Sequence, residues 1–133
     1  MRRLAVLVAV LAGFATTATA EAKQLVRFDV VGGLAGRFDR LRIDSDRSAK
    51  QTDNRGRSDR YTVSSKQLRA LKRELKAARF SSLKRSYRPK YVVSDGISQT
   101  VTYRGRSVTV STGSQFPARL HKVIRRLGRL MRY

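Results

Sequence analysis

The sequence predicts an α+β fold, an antiparallel sheet with two helices packed on one face. Three observations predict it. Some segments alternate apolar and polar residues with the period of two that marks a half-buried strand. Two others repeat apolar residues with the helical period, and the chain order is strand, strands, helix, hairpin, helix. No internal repeat or long linker divides the chain, which matches its 133 residues in suggesting one domain.

In residues 24–31, Val26, Phe28 and Val30 alternate with Arg27 and Asp29, giving a first strand. Gly32-Gly33-Leu34-Ala35-Gly36 interrupts it, because clustered glycines favour positive φ and close backbone approach. Residues 40–44 form a short second strand with Leu41 and Ile43 on one face. Asp44-Ser45-Asp46 supplies turn chemistry, since short polar side chains bond their own backbone. Residues 47–60 are nearly devoid of apolar side chains and read either as a ragged hairpin or as a mobile loop around Asn54-Arg55-Gly56.

A helix is predicted over 65–79. Ser64 and Gln67 make a capping box, Val63 and Leu68 a hydrophobic staple, and Leu68, Leu71, Leu75 and Ala78 the buried stripe. Phe80 and Leu83 continue that apolar face through a looser turn, and Pro89 ends the region. Residues 97–104 and 106–112 form a hairpin turning at Arg104-Gly105, which pairs Val101 with Val108 and Gln99 with Val110. Ile97, Val101, Val108 and Val110 then share one face, while Ser98, Thr100, Thr102, Ser107, Thr109 and Ser111 share the other, so the hydroxyls fix the register. Pro117 suits the first turn of a last helix, whose stripe is Leu120, Val123, Ile124, Leu127, Leu130 and Met131. Its basic residues either form a solvated face over a core-facing stripe or make a membrane-active amphipathic helix; the apolar face of the hairpin needs covering, which favours the first.

Arg2 and Arg3, an apolar run over 4–15 and the small-x-small end Ala18-Thr19-Ala20 have the layout of a secretory signal peptide. Residues 1–20 are therefore expected to be cleaved, leaving 21–133 as the domain of a secreted or cell-envelope protein with no remaining anchor. An exported chain without cysteine suggests a bacterial source.

Composition removes much chemistry. Without cysteine there is no disulfide, thiolate nucleophile or thiolate metal site, and a single His cannot build an ordinary zinc centre. His121 lies on the polar side of the last helix, and the chain has no Gly-x-Ser-x-Gly nucleophile turn. Counted as a calcium loop from Asp44, the sixth and twelfth positions hold Ala49 and Arg55 where Gly and Glu are needed. As paired acids, Asp44 and Asp46 lie among cations that hold both ionised. The glycine cluster lacks the endings and spacing of phosphate-binding loops. No catalytic residue, metal, cofactor or small-molecule substrate is indicated, and binding is expected instead.

Charge is the strongest physical signal. Lys and Arg number 30 against 9 Asp and Glu, a net charge of +21, and 22 of the cations are arginine, whose planar fork suits phosphate and carboxylate. Tyr61, Tyr87, Tyr91 and Tyr103 interleave with the basic residues. Anionic envelope polymers, nucleic acid and acidic proteins are the partners this composition fits. Arg119, Lys122, Arg125, Arg126 and Arg129 of the last helix are the candidate polyanion contacts.

Several motifs occur together: Val30-Val31-Gly32-Gly33-Leu34-Ala35-Gly36 after the first strand, Gln67-Leu68 with Leu71, and Ala78, Phe80 and Leu83. Further along come Ser94-Asp95-Gly96, Val101-Thr102-Tyr103-Arg104-Gly105 and a leucine-rich last helix. This layout, roughly Val26 to Leu130, resembles the emfourin family, proteinaceous inhibitors of protealysin-like (thermolysin-type) metalloproteases. The chain differs in its own signal peptide, its stronger basicity and its longer polar segment before the helix. The resemblance implies a secreted metalloprotease as partner, with the zinc on the protease, and inhibition by occlusion of the cleft. On that reading Gly32, Gly33, Leu34, Ala35 and Gly36 form the contact. The alternative is an arginine-rich polyanion binder that keeps the fold without inhibition.

Overall fold

A computed structural model describes residues 23–133; the expected signal peptide, 1–20, lies outside the described residues. The fold is α+β. In chain order it contains β1 (Gln24–Gly32), β2 (Arg37–Asp44), β3 (Ser48–Asp53), β4 (Ser58–Thr62), α1 (Ser65–Ala78), β5 (Ser86–Tyr87), β6 (Ile97–Tyr103), β7 (Arg106–Ser111) and α2 (Ala118–Leu130). The strands form a seven-stranded sheet in the order β4-β3-β2-β1-β6-β7-β5. All neighbours are antiparallel except β5 and β7, which run parallel.

Alternation along each strand decides what is buried. Phe28 sits opposite Leu41 on one side and Val101 on the other, and Val101 opposite Val108. With Val26, Val30, Ile43 and Val110 they line the face beneath the helices. Leu71, Leu75, Leu120, Val123 and Leu127 descend onto them and join the same core. Both helices therefore lie on one face, as the sequence predicts. The β6–β7 register is also the predicted one, and positive φ at Arg104 (50°) and Gly105 (75°) gives the turn twist that such hairpins require.

The start of α1 follows its sequence. Ser64 accepts from the Gln67 backbone N–H at 3.1 Å, and the Gln67 side chain accepts from the Ser64 N–H at 2.9 Å. Phe80, the first residue of a single 3-10 turn, Phe80–Ser82, and Leu83 just after it are both buried.

Three features differ from the sequence expectation in extent. β2 begins at Arg37 rather than 40, because Arg37 and Phe38 pair with Gly32 and Val31. Residues 47–60 take the hairpin alternative rather than the loop, and the hairpin is regular: β3 and β4 pair antiparallel around Asn54-Arg55-Gly56 at one side of the sheet, with β4 running on to Thr62. β5, a two-residue strand on β7, has no counterpart in the expected order.

The β3–β4 pair is held from below by the chain's end. Gln51 exchanges two hydrogen bonds with the Arg132 backbone, at 2.7 and 2.8 Å, and the Tyr61 hydroxyl donates to the Leu130 carbonyl at 2.7 Å. The Arg132 guanidinium lies 4.1 Å from the Tyr61 ring centre. Burial pushes the Tyr61 phenol above the ordinary tyrosine value, an effect that Arg132 opposes.

Tyr61→Phe removes the bond to Leu130 and is expected to cost about 1 kcal/mol in chemical denaturation. Because the folded phenol holds its proton more tightly, its contribution is fully present below about pH 10 and is lost as the pH rises through the higher folded value. The stability gap between the two proteins should therefore close in alkali. A gap independent of pH up to 11 would contradict this assignment.

Candidate functional site

Two surfaces answer to the residues singled out in the sequence. The first is one end of the sheet, where the β1–β2 turn and the segment from β5 to β6 come together. The second is the outer surface of the helix layer.

At the end of the sheet, the Gly33 N–H donates to the Gly96 carbonyl at 3.3 Å, and Gly36 N–H closes the turn on Gly33 at 3.2 Å. Gly32 has φ +120°, and a Cβ there would lie 2.4 Å from the Gly96 carbonyl oxygen. Only glycine lets the two segments approach so closely. Gly96 N–H in turn bonds the Val93 carbonyl at 3.1 Å, and a Cβ on Gly113, before α2, would come into ordinary contact with Pro89 and Val93. Three connections thus brace one another.

Five of the six exposed large apolar side chains of the described residues lie in these segments; the sixth is Tyr133 at the chain's end. Leu34 is 89% exposed, Val92 96% and Tyr91 75%, with Val31 and Val93 roughly half exposed. A depression of about 270 Å³ beside them is lined by Arg88, Pro89, Val92, Val93 and Ser98, among others. Ala35 and Gly36 are exposed, while Gly32 and Gly33 are half-buried. The sequence singles out Leu34, and Tyr91 only as one of the tyrosines among cations, but not Val92 and Val93; the available signal was an apolar triplet assigned to no strand or helix.

In the helix layer, α1 and α2 lie side by side and antiparallel. Lys122, Arg125 and Arg129 are exposed and make no ion pair or side-chain hydrogen bond among the described residues. The other two candidates are engaged within the fold. Arg126 grips Glu74 with two bonds of 2.6 and 2.8 Å, and this contact raises the Arg126 pKa. Arg119 donates at 2.8 Å to the carbonyl of Ala78, at the end of α1, and reaches Ser82 Oγ at 3.3 Å. Lys66, Arg69, Lys72, Arg73 and Lys76 are exposed on α1, and Glu74 is the only acid on either helix. The helix layer is accordingly a basic surface.

His121 is exposed, with its ring 5.8 Å from that of Phe116. Among the described residues no group of three or more His, Cys, Asp or Glu side chains could hold a metal ion, and no helix is long and apolar enough to cross a membrane. Comparison of the sequence with protein-family models and with curated proteins finds no match.

Gly32→Ala should destabilise the fold by at least about 2 kcal/mol, through strained φ and the clash with Gly96. In thermal melts this is a fall on the order of 10 °C. Gly33→Ala has open space around its Cβ and carries only the backbone strain, so it should cost clearly less. Equal losses from the two substitutions would show that the contact with Gly96 contributes nothing.

Proposed function

We propose that the chain is an exported binding module that inhibits a thermolysin-type metalloprotease by filling its cleft with the braced end of the sheet. The observation that carries this reading is the exposure of Leu34 on a turn fixed to its neighbour through Gly33 and Gly96. Exposed apolar side chains on a mobile loop would lose conformational entropy on docking, whereas a pre-organised turn loses little. Tyr91 and Val92 extend the same surface, and a buried apolar anchor with a tyrosine beside it is the usual composition of an interface hot spot. The resemblance to emfourin-type inhibitors supplies the class of partner. The module itself needs no metal, and its action is occlusion rather than chemistry.

A second reading is favoured by the charge of the helix layer. Lys122, Arg125 and Arg129, with the exposed cations of α1, present a surface whose only acid is already paired. An anionic envelope polymer or nucleic acid would be held there chiefly by counterion release, and so weakly at high salt.

Titration of residues 21–133 against a thermolysin-type protease separates the two. Stoichiometric inhibition that persists at high salt is expected, with Leu34→Asp raising the inhibition constant by a factor on the order of 30 or more. Absence of inhibition, or an unaffected Leu34→Asp variant, would sink the protease reading. In that case the polyanion reading would lead.

A further inference from the structure

The sheet face opposite the helices is uncovered, and its register places cations in a line that the sequence does not display. Arg27 of β1 sits opposite Arg42 of β2, Arg42 opposite Lys50 of β3, and Lys50 opposite Arg60 of β4. Four like charges therefore occupy directly facing positions on four successive strands, a row roughly 14 Å long at the normal strand spacing. Facing like charges destabilise a sheet. The adjacent row shows how the same sheet handles charge elsewhere: there Asp29 faces Arg40 and binds both Arg40 and Arg27, at 2.7 and 3.1 Å.

Compensation within the cation row is incomplete. Arg27 and Arg42 each give only Nε, to Asp29 and Asp44 respectively, and their terminal guanidinium nitrogens make no hydrogen bond among the described residues. Lys50 and Arg60 have no acidic partner among the described residues, and both are exposed. Hydroxyls flank the row on both sides, with Ser48 facing Thr62 and Thr52 facing Ser58; Ser48 Oγ donates to Asp46, Thr52 and Ser58 bond each other, and the Thr62 hydroxyl has no partner among the described residues. A depression of about 420 Å³ over this region is lined by Arg42, Asp44, Ser48, Lys50, Arg60 and Tyr61, among others.

We infer that this row is a docking track for a linear polyol-phosphate polymer lying across the strands. Four cations on separate strands cannot converge on one small anion, but they can each meet successive charges of a chain. Arginine and lysine with flanking hydroxyls suit phosphate oxygens. No aromatic side chain stands in the row: Phe38, on the same face, lies four residues along β2 from Arg42 and is covered by the Arg40 guanidinium at 5.3 Å, and Tyr61, next to Arg60, points its hydroxyl to Leu130 beneath the sheet. A single-stranded nucleic acid would call for a stacking platform, so the geometry favours a phosphodiester chain without bases. This inference shares the class of partner of the polyanion reading but not its site, and it stands whether or not the chain inhibits a protease.

The test compares two double variants of equal charge, Lys50→Gln with Arg60→Gln on the row and Lys122→Gln with Arg125→Gln on the helix layer. Binding to polyglycerol phosphate is followed as a function of salt, with a single-stranded oligonucleotide and polyglutamate of equal charge as comparison probes. At low salt the row variant should bind polyglycerol phosphate at least tenfold more weakly. Its slope of log affinity against log salt should shrink by about 1.4, or 0.7 per charge removed. The helix-layer variant should keep the slope of the parent. Thermal stability of the row variant should be unchanged or higher, because facing like charges have been removed. The swap Lys50→Arg with Arg60→Lys should retain binding. Loss confined to the helix-layer variant would overturn the inference while leaving the polyanion reading intact. Equal losses from both variants, a destabilised row variant, failure of the swap to bind, or preference for either comparison probe would also overturn it.

Discussion

Burial on one side only is the constraint from which the rest of this structure follows. Two helices cover a seven-stranded sheet from one side, so every strand must separate its residues strictly by parity. Phe28, Leu41, Val101 and Val108 meet in one row under the helices, while their neighbours Asp29, Arg40, Thr100 and Thr109 meet in one row on the other side. A slip of one residue in any strand would exchange the two sets. The uncovered face stabilises itself with polar contacts, including Thr100 to Thr109 at 2.8 Å and Thr102 to Ser107 at 2.7 Å. The same separation that makes the core also sorts the cations into surfaces.

The helices face a related difficulty. Their outer sides are almost wholly cationic, which opposes packing them side by side. The one acid, Glu74, sits at the seam and is gripped by Arg126, while Arg119 satisfies a carbonyl that α1 would otherwise leave open. Both arginines draw α2 toward α1, leaving Lys122, Arg125 and Arg129 to set the surface charge. A composition that looks uniform in the sequence thus divides into cations that hold the fold and cations that face outward.

How much could be read beforehand depended on where each element finds its partners. The β6–β7 hairpin and α1 were legible because their signals are local: a Arg104-Gly105 turn, alternating hydroxyls, a Ser64–Gln67 cap. β3 and β4 were legible only as one of two alternatives, a hairpin or a loop, because only Ala49, Gln51 and Tyr61 turn toward the core and none makes an apolar alternation. Their support is the chain's end, with Gln51 bound to a residue 81 positions away and Tyr61 to one 69 away. The glycine turn was recognised from its composition, yet its partner loop around Val92 was not, since Gly33 and Gly96 meet only once β1 and β6 pair. The cation row was hidden for the same reason: it exists only in the register of four strands.

The position of β4 at the outside of the sheet bears on how copies of the chain behave toward one another. Its free backbone edge offers a template for another strand, and edges of this kind invite aggregation. Asp59 and Arg60 on so short a strand discourage such pairing, and the large positive charge keeps whole molecules apart. That protection is electrostatic, so it weakens wherever the charge is neutralised. Neutralising that charge, as a bound polyanion would, therefore removes the main barrier to edge-to-edge association at β4.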